Sequence, residues 1–211
     1  MDGEWDGRPE QYSYSPSPAP LASQTSQTPS DGWRELSRTV RDDGMGIRIG
    51  EVVFAGAEGP AHRRRYLHTP EVVAIVAMQG GMLQLIREFR AAVGEEVLQV
   101  PMGKVEAGRT PDDCAVAELA EETGFQARGW ELRGTLLACP GWMDQVVHVY
   151  RATDLRPSPG WYAGGHPGSD PNDVEEASLS VVPVPVVGFR ALVRTGAIRD
   201  ARTIAAVLLA M

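Results

Sequence analysis

Three glutamates with helical spacing are the residues of this sequence whose types and positions most directly suggest chemistry. Glu118, Glu121 and Glu122 stand at positions i, i+3 and i+4, so in a helix their side chains share one arc of roughly 100°. We call these three residues the glutamate arc. Carboxylates this close repel one another unless a cation lies among them, and a hard divalent ion such as Mg²⁺ prefers oxygen ligands. The competing interpretation is a solvated acidic helix face, which is the usual position of a charge run.

The residues on either side of the arc predict the helix that positions it. Thr110 is a suitable N-cap, Pro111 suits the first helical position, and Asp113 stands where a capping-box acid belongs. Gly124 can adopt the left-handed conformation that closes a helix. Leu119 lies beside the arc and can face a core. The sequence therefore predicts a capped helix with three carboxylates on one side.

The stretch from residue 103 to residue 125 closely resembles the Nudix box. That pattern reads Gly, five residues, Glu, seven residues, Arg-Glu, an aliphatic residue, any residue, Glu-Glu, any residue, Gly and an aliphatic residue. The positions that match in register are Gly103, Glu118, Leu119, Glu121, Glu122, Gly124 and the apolar Phe125. Two positions depart from the pattern, because Arg109 stands at the family's first Glu and Ala117 stands at its Arg.

The order of shorter motifs resembles the ADP-ribose pyrophosphatase branch of the Nudix hydrolases. These motifs lie at residues 73–77, 86–90, 98–103, 139–141, 173–176 and 195–204. The resemblance implies an α/β/α sandwich around a mixed sheet. It also implies a small N-terminal β domain that the branch uses for homodimerisation.

Composition predicts one catalytic domain preceded by a tail. The chain has 211 residues, of which 43% are hydrophobic, enough for one sizeable core. Residues 1–30 are rich in Ser, Pro, Gln and Thr, a composition typical of disorder. Residues 31–68 contain short strand patterns and form the expected dimerisation region, and residues 69–211 form the expected Nudix hydrolase domain.

Charge and hydropathy exclude several classes of protein. A net charge of −8 argues against a general nucleic-acid binder, which needs a basic surface. The sequence contains no run of about 18 apolar residues, which is the length that a membrane-spanning helix needs. Two cysteines are too few for a disulfide framework, and the N-terminus lacks the pattern of a signal peptide. We therefore expect a cytoplasmic protein.

The resemblance assigns metal-binding and catalytic roles by position. Glu118 and Glu122 would bind Mg²⁺ or Mn²⁺, with the carbonyl of Met102 as a further ligand and Glu121 completing the catalytic cluster. Metal ions between carboxylates and phosphate oxygens neutralise a diphosphate and lower the pKa of the attacking water. The branch places a general base or further ligand in a late acidic loop, where Glu175 is the best match. The alternative for Glu175 is an acidic loop that only precedes a strand.

The predicted substrate contacts lie on either side of the box. Arg87 and Arg90 end a strand, where a guanidinium can clamp phosphate oxygens, although a surface ion pair is the competing role. Trp142 can stack on an adenine or ribose, or it can cover the core. Gly103 and Arg109, in the loop of the box, complete the predicted substrate-binding set.

These residues predict metal-dependent hydrolysis of a nucleoside diphosphate linked to another moiety. ADP-ribose or a related nucleotide sugar is the expected small-molecule substrate, and AMP and a sugar phosphate are the expected products. Arg109 either compensates for the missing box arginine or marks a decayed site of reduced activity. The alternatives are a non-hydrolysing ligand-binding or regulatory protein, and a specialised hydrolase of a different diphosphate. Gln99, where the branch usually carries Glu, is a further departure that can alter substrate selection.

Overall fold

The computed structural model describes residues 32–42, 48–158 and 179–211. The strands are β1 (Arg34–Asp42), β2 (Arg48–Ala55), β3 (His62–Leu67), β4 (Val72–Gln79), β5 (Met82–Arg90), β6 (Glu95–Gln99), β7 (Met102–Lys104), β8 (Phe125–Leu137), β9 (Val146–Pro157) and β10 (Ser180–Pro185). The helices are α1 (Pro111–Thr123), α2 (Phe189–Arg194) and α3 (Ala201–Ala210). The tail predicted for residues 1–30 lies outside the described residues.

Strands β1, β2 and β3 form a separate antiparallel sheet, which we call the N-terminal sheet. Tyr66 on β3 pairs with Gly50 on β2, and its ring lies only 2.1 Å from where a Cβ of residue 50 would be. The ring therefore covers the glycine and replaces the packing that Gly50 cannot supply. Residues 63–65 on the edge strand β3 are exposed arginines, as expected for charges that protect a sheet edge.

The larger sheet has seven strands and is mixed. Its main order is β10-β5-β4-β9-β8, with β6 paired to β5 and β7 paired to β4. Strands β4 and β9 run parallel, whereas the other paired strands run antiparallel. The chain from β6 to β7 crosses from pairing with β5 to pairing with β4. This crossing places the backbone of Met102 and Gly103 at the centre of the sheet.

The apolar strand β4 separates two hydrophobic cores. Val72, Ala74 and Val76 belong to a core that is covered by α3 residues such as Val207. The alternate residues Val73, Ile75 and Ala77 belong to a core that is covered by Cys114, Ala115 and Leu119 of α1. Since side chains alternate along a strand, helices lie on both faces of the sheet. The predicted α/β/α sandwich is therefore the observed architecture.

The caps of α1 predicted from sequence are present, and a pair of glycines joins β4 to β5. Gly80 and Gly81 both have positive φ, 57° and 76°, as a two-residue hairpin turn requires. The sequence at residues 130–138 and 146–150 predicts two strands, which the structure shows as the longer β8 (Phe125–Leu137) and β9 (Val146–Pro157). Their long antiparallel pairing with each other supplies the stability that neither local pattern indicates. Among the helices of the described residues, none has the length and apolar character that a membrane crossing needs.

Candidate functional site

Helix α1 is fixed at both ends, which sets the direction of the glutamate arc. Thr110 and Asp113 form a reciprocal capping box, in which the amide of Asp113 donates to Thr110 Oγ1 over 3.2 Å. Gly124 ends the helix with a φ of 70°. The hydroxyl of Tyr150 on β9 donates to Asp112 in the first turn. The helix is thus held against the sheet at its first turn, and the glutamate arc follows in its C-terminal half.

Glu118 lies directly over the backbone of Gly103. A Cβ built on Gly103 would stand 1.7 Å from Glu118 Oε1 and 1.8 Å from its Cδ. Any side chain at position 103 would occupy the space that the carboxylate fills. The absence of a side chain at position 103 therefore lets the Glu118 carboxylate lie against β7 in its observed position.

Glu122 lies against the same strand, one helical turn further on. The amide of Met102 donates to Glu122 Oε2 over 2.9 Å. Burial raises the pKa of Glu122 well above its usual range, and the charges of Glu118 and Glu88 raise it further. The Met102 amide and the positive charge of Arg90 oppose that pKa shift. Glu118 and Glu122 therefore lie close enough to repel each other, and a cation between them would relieve that repulsion.

Glu121 takes a different position from the other two members of the arc. Its side chain is exposed, and its negative charge is a minor cause of the raised pKa of Arg109 in the loop. The structure thus divides the arc into a pair that packs on β7 and one solvent-facing carboxylate.

A second polar cluster, not predicted from sequence, lies beside this pair. Glu88 on β5 is only 5% exposed, yet it is charged. Its Oε2 accepts from Gln99 Nε2 over 2.8 Å and lies 2.9 Å from Arg90 Nη2. Arg90 Nε also donates to Gln99 Oε1 over 3.3 Å. We call Glu88, Arg90 and Gln99 the buried triad. Since β5 also contains the polar residues Gln84 and Arg87, its own sequence pattern does not single out Glu88 as a buried acid.

Arg109 closes the loop onto the helix instead of entering the arc. Its guanidinium donates to Glu106 Oε2 and to the carbonyl of Asp113, each over 3.0 Å. The hydrogen bond to Glu106 is the main cause of its raised pKa. Ala117, at the position of the box arginine, is half-buried.

The remaining predicted contacts, Arg87 and Trp142, differ in their surroundings. Arg87 follows Ile86 and precedes Glu88 on β5, so it faces away from the buried triad, and its Nε lies 3.9 Å from Glu96 Oε2. Trp142 is 73% exposed, so it does not cover the core. Its carbonyl accepts from the amide of Leu67, and His68 contacts Asp144 at 2.6 Å, which ties its loop to β3. Glu175 lies outside the described residues.

The donor set suits a hard cation, although the protein side chains alone do not enclose one. Within residues 32–42, 48–158 and 179–211, no three acidic, histidine or cysteine side chains converge closely enough to hold a metal ion. Magnesium, however, is usually bound through one or two carboxylates together with substrate phosphates and water. Glu118 and Glu122 supply two such carboxylates, and their mutual repulsion is the feature that a cation would relieve.

Comparison with known proteins identifies the family. The model of the NUDIX domain matches residues 67–205. An ADP-ribose pyrophosphatase of Bacillus subtilis is 33% identical over 98 residues, which are 46% of this chain and 53% of that protein. An ADP-ribose pyrophosphatase of Mycobacterium tuberculosis is 40% identical over 86 residues, which are 40% of this chain and 42% of that protein. The chain thus spans about half the length, or less, of these curated relatives.

A solved structure supports the fold. The crystal structure of an ADP compounds hydrolase superposes with a TM-score of 0.68 at 22% identity, covering 84% of this chain and 91% of that one. The mixed sheet and its two helical layers therefore recur in a protein of low sequence identity. Together with the family match across about two thirds of the chain, this shows that the chain belongs to the NUDIX domain family.

Proposed function

We propose that this protein hydrolyses a nucleoside diphosphate linked to another moiety, in a reaction that depends on a divalent metal ion. The proposed substrate is ADP-ribose or a related nucleotide sugar, and the products are AMP and a sugar phosphate. One observation carries the proposal: two carboxylates of α1, Glu118 and Glu122, pack against the backbone of β7. The names of the relatives from Bacillus subtilis and Mycobacterium tuberculosis support the same substrate class.

Glu118, Glu122 and the carbonyl of Met102 would hold Mg²⁺ or Mn²⁺. When bound, such an ion neutralises the diphosphate and lowers the pKa of the attacking water. The chain's own contribution is to orient these ligands. The amide of Met102 fixes Glu122, and the absence of a side chain at Gly103 allows Glu118 to approach the loop.

The other residues complete the proposed site. Arg90 is the proposed ligand of a diphosphate oxygen. Its side chain is 28% exposed, so a substrate can reach it, and its positive charge acts on Glu122. Trp142 offers an exposed ring on an anchored loop, suitable for stacking on a nucleobase. Glu121 completes the proposed catalytic cluster, and Glu175 is the proposed general base or further metal ligand. Arg87 and Arg109 contribute positive charge to the binding of the anionic substrate.

The test is a panel of diphosphates with and without divalent ions. Purified protein is incubated with ADP-ribose, ADP-glucose, GDP-mannose and ADP in Mg²⁺, Mn²⁺ or chelator, and nucleotide release is measured by chromatography. We expect AMP from ADP-ribose only when a divalent ion is present. Glu122→Gln should reduce turnover by at least about a hundredfold, because it removes a ligand's charge. Near-wild-type turnover of that variant in saturating Mg²⁺ would refute the metal assignment.

The two departures from the Nudix box, Arg109 and Ala117, support a second candidate function, ligand binding without hydrolysis. The same panel of diphosphates tests it. Arg109 pairs with Glu106 and the helix backbone, and Ala117 cannot supply the charge of the usual arginine. If the protein binds ADP-ribose without releasing AMP, a ligand-binding or regulatory role replaces the hydrolase. If GDP-mannose alone is cleaved, the protein is a hydrolase of a different nucleotide sugar.

A further inference from the structure

The buried triad places a carboxylate in a core strand, where its desolvation is unfavourable to folding. Glu88 follows Leu83, Leu85 and Ile86 along β5, all of which are fully buried, yet it carries a charged side chain only 7% exposed. Taking a carboxylate out of water is costly, and a buried ion pair is often no more stable than apolar residues of similar size. Packing alone therefore does not account for an acid at this position.

The three hydrogen bonds of the triad form a closed triangle that determines the orientation of each group. A carboxylate can only accept, so Gln99 must direct its Nε2 toward Glu88 Oε2. The amide oxygen of Gln99 then faces Arg90 and accepts from its Nε. Arg90 Nη2 completes the triangle through its 2.9 Å contact with Glu88. Two nitrogens of the guanidinium are thus held by two different partners.

This triangle lies next to the glutamate arc. Gln99 precedes by three residues the amide of Met102 that holds Glu122. The charges of both Glu88 and Arg90 act on Glu122. Unlike Glu88, Arg90 keeps 28% of its side chain exposed, so a ligand can reach the guanidinium.

We propose that Glu88 and Gln99 are positioning residues, which together hold the Arg90 guanidinium in the orientation that binds a diphosphate oxygen of the substrate. The inference rests on the proposed function, since it concerns the same substrate. A guanidinium that is oriented before binding loses less conformational freedom when the ligand arrives. The single negative charge of Glu88 keeps Arg90 in place without competing for it as strongly as two carboxylates would.

The test exchanges the acid and the amide between the two positions. KM and kcat for ADP-ribose, the Kd of the non-hydrolysable α,β-methylene-ADP, and Tm are measured for Glu88→Gln, Gln99→Glu and the double variant. Glu88→Gln should raise KM and Kd by about tenfold, since a charged hydrogen bond to Arg90 is lost, with kcat changed much less. Gln99→Glu should also raise both, because a second carboxylate competes with phosphate for Arg90. The double variant restores one carboxylate and one amide, and it should return KM and Kd to within about threefold of wild type.

Two further variants separate positioning from stability. In an Arg90→Ala background, Glu88→Gln should not raise Kd further, because Glu88 acts through Arg90. Glu131→Gln, the same change in the exposed pair with Arg133, should leave KM and Kd unchanged. A Glu88→Gln variant with a lowered Tm but wild-type KM and Kd would overturn the proposal and leave the triad a structural ion pair.

The wild-type measurements separate this proposal from the proposed function. If wild type binds α,β-methylene-ADP without hydrolysing ADP-ribose, the hydrolase is refuted while the Kd series still decides the role of the triad. If wild type neither binds nor hydrolyses either compound, both proposals are overturned.

Discussion

Glu122, a proposed metal ligand, is expected to lower the folding stability of the metal-free protein. Its carboxylate is half-buried against β7, near Glu118 and Glu88. Desolvation and the two neighbouring negative charges raise its pKa well above the ordinary 4.5. The folded chain therefore binds this proton more tightly than the unfolded chain does. Ionising Glu122 costs stability, and that cost grows as pH rises from about 4.5 through the raised folded pKa.

We therefore predict that Glu122→Gln stabilises the metal-free protein. The amide oxygen can still accept from Met102, while the repulsion from Glu118 and Glu88 is removed. In chelator, Tm of the variant should exceed that of wild type by a few degrees near neutral pH, and the two should converge near about pH 4. Differential scanning fluorimetry across pH measures this difference, with Glu131→Gln as the control. A difference that stays constant across pH would show that the titration of Glu122 is not its cause.

At the scale of the element, the loop from β7 into α1 is predictable from sequence because its signals are local. Thr110, Asp113 and Gly124 act on backbone groups only a few residues away, and the structure shows the predicted cap at each end. The burial of Glu88 is different. It depends on the pairing of β5 with β6 and on the position of α1, which no pattern within β5 encodes. The late acidic loop stays a prediction.

The close approach of α1 to β7 predicts that a side chain at position 103 lowers turnover. In Gly103→Ala the new Cβ would overlap the Glu118 carboxylate, so Glu118 must move away from β7. We expect turnover to fall by about a hundredfold through loss of a metal ligand's position, with a smaller effect on Tm. Gly188→Ala is the matched control, since its Cβ meets nothing within 4 Å. If both variants retain wild-type turnover, Glu118 does not need its observed position.

The position of Arg109 at the start of α1 predicts coupling with position 117. Arg109 joins Glu106 to the carbonyl of Asp113 and lies near Glu121. Arg109→Glu alone should lower turnover, because it adds a carboxylate near the arc without a cation to balance it. Adding Ala117→Arg should recover or raise turnover, so the pair should be non-additive. Kinetics of the two single variants and the double variant measure this coupling. Effects that simply add, with Arg109→Glu harmless, would contradict compensation by Arg109.

At the scale of the whole molecule, the predicted layers agree with the structure because the apolar run of β4 supplies both cores.

The tail, residues 1–30, is predicted to contribute little to folding. Since residues 1–30 have few apolar residues, deleting them should leave Tm and turnover almost unchanged. A large fall in Tm after that deletion would show that the tail packs on the described domain.

Charge is distributed unevenly over the molecule, which bears on the proposed homodimer. Residues 32–42 and 48–67 of the N-terminal sheet region contain seven arginines and four acids, whereas the whole chain carries a net charge of −8. A positive sheet on an acidic protein can attract the acidic body of a second copy, and salt screens such an attraction. Strand β1 is exposed along its whole length, so it has room for that contact.

We therefore predict a dimer that requires the N-terminal sheet and weakens with salt. Light scattering after gel filtration should show a dimer for the full chain and for the chain lacking residues 1–30. Removing residues 1–68 should give a monomer. The dimer's dissociation constant, measured by sedimentation, should rise as NaCl is increased, because the opposite charges are screened. Arg63→Gln combined with Arg65→Gln should weaken the dimer at low salt and reduce its salt dependence, since both side chains lie on the exposed edge strand. A full chain that stays monomeric at high protein concentration would refute the proposed dimer, and a dimer unaffected by salt would refute its electrostatic origin.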